Sequence, residues 1–183
     1  MSEPSATSAL GERLRAAIAR LAANHVRIDA AEPWPLAPDF GPGPEASWGP
    51  RELLAHVAEM LPYWLGEVER VLAGGPEPVP FGRTQADPDR LAAIERDRTL
   101  PIGELYARIE AGAERYARRL PALTPADASR RGLHPVLGEL PVTTILERMV
   151  VGHAEDHVHQ LTGILAGPAA PSRCRSSLSL SNR

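Results

Sequence analysis

The sequence predicts an all-α protein, a four-helix bundle with long Pro-rich connections. Three observations carry that expectation. Alanine and leucine supply most of the apolar content and aromatics make up only 4% of the chain, a balance that favours helices over strands. Four stretches repeat their apolar residues at helical spacing, and none alternates as a half-buried strand does. Between them lie segments too rich in proline and glycine for regular structure. At 183 residues the chain suits one domain with a sizeable core rather than two.

The first helix falls within residues 8 to 28, where Leu10, Leu14, Ile18, Leu21 and Ala22 share a face. The connection DAAEPWPLAPDFGPGPEASWG follows. Pro50, at a first helical position, restarts the chain as a second helix, Glu52 supports its first turn and Gly74-Gly75 stops it. Pro62 lies inside this helix and is expected to kink it or remove one hydrogen bond. Leu105, Ile109, Tyr116 and Leu120 mark a third helix from about residue 102, with a shorter one ahead of it. TPADASRRGLHPVLGELP reads as connection. The fourth helix begins near Thr143 or Thr144 and ends at Gly167-Pro168. The domain therefore spans 1–167, and the Ser/Arg-rich tail 168–183 is expected to be mobile.

Several function classes drop out. The net charge is -3 and all 20 basic residues are arginine, which fits a GC-rich coding bias better than a nucleic-acid footprint. Arg118, Arg119, Arg130 and Arg131 form a local basic patch that reads as solvated surface. One cysteine, Cys174, allows neither an internal disulfide nor a Cys-rich zinc cluster. The polar start SEPSATS is not a signal peptide, and no apolar run is long enough for a membrane helix. A cytoplasmic protein with no nucleic-acid or membrane partner is the expectation.

The chemistry lies in GHAEDHVHQL, residues 152–161. His153 and His157 are four apart, so on a helix both imidazoles leave one face a turn apart, as two ligands of one ion do. The spacing alone is equally that of two polar helix residues. A zinc-protease HExxH motif is excluded, because Ala154 stands where the general base belongs. His56 sits among Leu53, Leu54, Val57 and Met60, in an inward-looking sector of the second helix. It reads either as a core histidine bonded to a backbone carbonyl or as part of a metal site built between facing helices.

SWGPRELLAHVAEMLPYWL and HPVLGELPVTTILERMVVGHAEDHVHQL together resemble the DinB-like family of metal-dependent bundles, which includes bacillithiol and mycothiol S-transferases and maleylpyruvate isomerase. Trp48, Pro50 and His56 match the opening of that family's second helix. His134, Pro135 and Gly138 match a loop element, and His153, His157 and Gln160 match the H-x-x-x-H-x-x-Q of the last helix. These matches run in order over residues 48 to 165. The resemblance implies one divalent metal held by His56, His153 and His157. The chain departs from the pattern at Asp156, where many members carry a histidine; His159 follows instead and points roughly 200° away from His157. The loop residue His134 is not a ligand in the family, so packing or hydrogen bonding is its expected part. His25 is expected to be helix surface or a cap.

Three imidazoles suit zinc or nickel, and three protein ligands leave a position open, as in catalytic sites. Gln160, Asp156 and Glu59 are placed to orient an imidazole or a substrate, Tyr63 to line the pocket, and Trp64 and Met149 to pack in the core. The resemblance thus implies a mononuclear metal enzyme acting on a small-molecule substrate. A thiol S-transferase with a low-molecular-weight thiol cosubstrate is the first form of it. A metal-dependent hydrolase and a non-catalytic metal-binding stress-response protein are the alternatives. Bundles of this kind also imply a homodimer.

Overall fold

The computed structural model describes residues 6–30 and 44–166. Most of the first Pro-rich connection, the tail 168–183 and Cys174 lie outside the described residues.

Four long helices form the bundle: α1 (Ala6–Ala22), α3 (Pro50–Ala73), α5 (Ile102–Arg119) and the last helix, which comprises α7 (Val142–Ile145), π-helical turns over Leu146–Gly152 and α8 (His153–Ala166). The short α2 (His25–Ala30), α4 (Pro88–Asp97) and α6 (Pro125–Ser129) occupy the connections. The first helix, expected as one unit, is interrupted at Ala23-Asn24, where the Asn24 side-chain amide donates to the Arg20 carbonyl at 3.0 Å. Asparagine competes in this way with the helical ladder. Pro62 does not end α3, and beside it the Tyr116 hydroxyl donates to the Leu61 carbonyl at 2.9 Å.

α1 packs chiefly on α5 and α8, and α3 on the same two helices. Helices consecutive in the chain therefore sit across the bundle from one another at two of the three steps, and only α3 and α5 are adjacent. This arrangement requires long connections, which is where the sequence concentrates its prolines. The core between the helices holds Leu21, Leu54, Leu61, Leu105, Ile109 and Tyr116, all essentially inaccessible.

The expected absence of strands is corrected by a small sheet of β1 (Val79–Pro80), β2 (Arg131–His134) and β3 (Gly138–Pro141). β1 runs parallel to β2, with Val79 opposite Gly132, and β2 is antiparallel to β3, with His134 opposite Gly138. Strands this short carry too few residues for an alternating pattern. They form because the segments are brought together: a Cβ on Gly132 would lie 2.5 Å from the Phe81 ring, so only glycine admits that approach. Gly82, at φ +82, is equally constrained, with His134 directly against it.

Of the arginine patch, Arg118 and Arg131 are exposed as expected, whereas Arg119 and Arg130 are partly buried. Arg119 pairs with Glu69 at 2.5 Å, and Arg130 donates to the carbonyls of Val71, at 3.3 Å, and Gly74, the last carbonyls of α3. A guanidinium there satisfies orphan carbonyls and opposes the helix dipole. Among the described residues no helix is long and apolar enough to cross a membrane.

Candidate metal centre

His56 lies on the second turn of α3, whose start is set by Pro50 and by Glu52, which reaches back to the Gly49 amide at 3.1 Å. His153 opens α8 immediately after the π turns, and His157 is one turn further on. Packing of α3 against the last helix brings the three imidazoles together. His56 Nε2 and His153 Nε2 are 3.2 Å apart, and one ligand atom from each histidine and from Glu45 lies within 4.8 Å of all the others. His56 and His157 are 1% and 2% exposed.

Hydrogen bonding decides which nitrogen of His157 faces this centre. The Gln160 amide nitrogen donates to the Glu45 backbone carbonyl at 2.9 Å, so its oxygen must be the atom 2.9 Å from His157 Nδ1. His157 Nδ1 therefore carries the proton, and Nε2 is a buried lone pair with no partner. His56 Nδ1 has the Glu59 carboxylate 3.8 Å away. Outer contacts of this kind set ring orientation and tautomer in metal-binding histidines.

Burial lowers the proton affinity of all three rings. It acts first on His153, which the nearby His157 helps to push down to about 3, and it brings His157 to about 4 although the Gln160 bond opposes it. His56 is also lowered, by burial and then by the other two rings. All three are thus neutral at pH 7, the form that binds metal. Three neutral imidazoles that converge with a carboxylate, one of them presenting an unpartnered buried Nε2, form a donor set that fits a divalent metal. Zinc and nickel both accept imidazole, and the donors do not choose between them.

Two ion pairs flank the cluster. Arg83 bonds both Glu59 carboxylate oxygens at 2.6 Å and lies over the Tyr63 ring, 3.6 Å from its centroid. Tyr63, expected in the pocket, instead stands on an adjoining groove with Pro62 and Arg96 and meets the cavity through Arg83 and through Trp64, whose ring it contacts edge-on at 5.0 Å between centroids. On the other side Arg90, 4% exposed, holds the Glu45 carboxylate, donates to the Gln85 carbonyl at 2.9 Å and sits over Trp48. Asp87, which caps α4 by accepting from the Arg90 amide, fixes the start of the helix that carries Arg90. The Trp48 ring in turn packs 5.1 Å from His56.

A cavity of about 620 Å³ opens beside His56 and His153. Trp64 packs in the core and Met149 against it, as expected, and both also form part of the cavity wall, where Asp156 stands exposed. His134 is buried and structural, with Nδ1 accepting from the Val136 and Leu137 amides at 3.2 Å. His25 stacks on Tyr106, 4.6 Å between centroids, and His159 is exposed and outside the cluster.

Residues 6–161 match the DinB superfamily. The chain belongs to that superfamily. A solved DinB-like bundle, YfiT from Bacillus subtilis, superimposes with a TM-score of 0.66 over 90% of this chain and 87% of that one, at 16% identity. It is described as "a probable metal-dependent hydrolase with an unusual four-helix bundle topology". At that identity the likeness establishes the fold. No curated protein sequence matches the chain.

Glu45 and Arg90 had no signal in the sequence. Glu45 lies on a 3-10 turn (Pro44–Ser47) inside a connection that looked featureless, and Arg90 is one of 20 arginines.

Proposed function

We propose that this DinB superfamily member is a metal-dependent enzyme in which His56, His153 and His157 hold one divalent ion, zinc or nickel. The observation that carries the reading is the convergence of three neutral imidazoles, those of His56 and His157 buried, with the outward nitrogen of His157 bonded to Gln160 and that of His56 faced by Glu59. A divalent ion bound there supplies Lewis acidity and lowers the pKa of a water or thiol toward neutrality.

The protein's own groups supply the rest. Glu45, beside the imidazoles and held by Arg90, is the proton acceptor for the nucleophile. Trp48 and the buried α3 face keep water from the inner side of the cluster. The cavity accommodates the small-molecule substrate and, in the reading we favour, a low-molecular-weight thiol beside it. In that transfer the thiol proton passes to a Glu45 carboxylate oxygen, the sulfur bonds to the electrophilic carbon, and the leaving group departs with its electron pair. The likeness to YfiT favours a second reading, hydrolysis, in which water takes the place of the thiol.

The deciding experiment is metal content per chain for wild type and His56→Ala, followed by electrophile turnover with and without added thiol. About one equivalent, lost in the variant, supports the centre; thiol-dependent turnover selects transfer, and turnover in water alone selects hydrolysis. No metal uptake after incubation with zinc and nickel would remove the reading.

A further inference from the structure

The cavity beside the histidines carries three guanidinium groups, and they are not equivalent. Arg83 is paired with Glu59, and Arg90 with Glu45. Arg148 is exposed, lines the same cavity, and among the described residues takes part in no ion pair or hydrogen bond. The other charged group on the wall, Asp156, forms no pair with it. His134 is turned into its own loop and the Arg83 backbone, so it does not compete for a ligand.

The position of Arg148 follows from an irregularity of the backbone. It lies in the π-helical turns Leu146–Gly152, five residues before His153. On an α-helix residues five apart diverge by roughly 140°, whereas the wider turn that i→i+5 hydrogen bonding produces, about 4.4 residues, reduces the divergence to roughly 50°. The π turns thereby bring Arg148 onto the same side of the helix as His153, and both line the cavity together with Met149. Trp64, Ala86, Val136 and Leu137 give the wall its apolar part, and Thr84 and Gln85 add two uncharged polar side chains. Val136 is 69% exposed on the turn between β2 and β3, an apolar residue displayed at the cavity rim.

The geometry points to an organic anion with an apolar body as the substrate class, its carboxylate bound by Arg148 and its body against Val136, Leu137, Met149 and Trp64. The inference deepens the proposed function and takes the histidine cluster as the reacting end of the same cavity. Arg148 is then a specificity-determining residue rather than a catalytic one. An anionic group on it places the adjoining part of the substrate toward His153, where Glu45 and the imidazoles converge.

The test uses phenylacetate and its neutral analogue phenylacetamide, titrated by calorimetry or ligand-observed NMR. Wild type, Arg148→Gln and Arg148→Lys are compared, each metal-free and zinc-loaded, with Arg118→Gln as a surface control. Wild type is expected to bind phenylacetate about tenfold more tightly than the amide in both forms, with the preference erased in Arg148→Gln and partly kept in Arg148→Lys. A preference that survives Arg148→Gln, that appears only with zinc, or that falls equally in Arg118→Gln overturns the assignment. So does failure of wild type to bind either compound. Zinc binding without an Arg148-dependent preference would leave the metal reading standing and remove this one; the converse result would do the opposite.

Discussion

The two Glu–Arg pairs that flank the histidines use the same chemistry for different ends. Glu59 stands on α3 one turn from His56 and faces the outer nitrogen of that ring, with Arg83 bonded to both its oxygens. Glu45 comes from a loop turn, is held by a buried arginine on α4, and approaches the side where the imidazole lone pairs meet. The carboxylate of the first pair acts through His56, while its Arg83 stands on the cavity wall. The second reaches the reacting volume directly. Charge and residue type are the same in both; the element that carries the carboxylate decides its part.

That contrast yields its largest expected effect at Glu45. Glu45→Gln keeps an oxygen for Arg90 and removes the proton acceptor, so turnover should fall by about 10²–10⁴ while metal per chain stays near the wild-type value. Loss of metal in parallel with activity would instead make Glu45 a ligand. Glu59→Gln should behave oppositely, weakening metal affinity by about 10–100-fold through a less well-oriented His56. Competition with a chromophoric chelator reads this directly, and an unchanged affinity would leave Glu59 a structural partner of Arg83 alone.

Between the pairs, the histidines themselves predict a pH dependence. Their folded-state pKa values lie below the ordinary 6.5, so below that pH the unfolded chain binds more protons than the native one. Stability of the metal-free protein should fall as pH drops from about 6.5 toward 4, with a slope of up to about 1.4 kcal/mol per pH unit for each histidine. Urea denaturation across that range measures it, and His157→Gln should flatten the slope. The smallest effect is expected at Arg130, far from both pairs. Arg130→Ala removes a cation from the end of α3 and should cost about 0.3–1 kcal/mol in the same assay with metal affinity unchanged.

The four long helices were legible because each has to bury a stripe, and a 3.6-residue repeat cannot be hidden over four turns. His153 and His157 were legible for the same reason, since helical spacing alone puts them on one face. His56 was readable as an inward residue, and the family resemblance supplied its partners. Gln160 was singled out by its position in line with His153, but its actual bond is to His157, and its link to the Glu45 carbonyl belongs to a contact across the chain. Asp156 and Tyr63 sat at plausible spacings, yet Asp156 stands exposed on the cavity wall, and Tyr63 lies behind Arg83. Spacing places a side chain on a face; it does not say which neighbour arrives there first.

The sequence by itself therefore determined the helices, the length and composition of their connections, and two of the three histidines as a pair. These depend on local periodicity and on the conformational limits of proline and glycine. Only the tertiary structure decided that the cluster closes through His56, that Glu45 and Arg90 join it, and that three two-to-four-residue strands form a sheet. Those features rest on contacts between segments far apart in the chain, each too short to carry a pattern of its own.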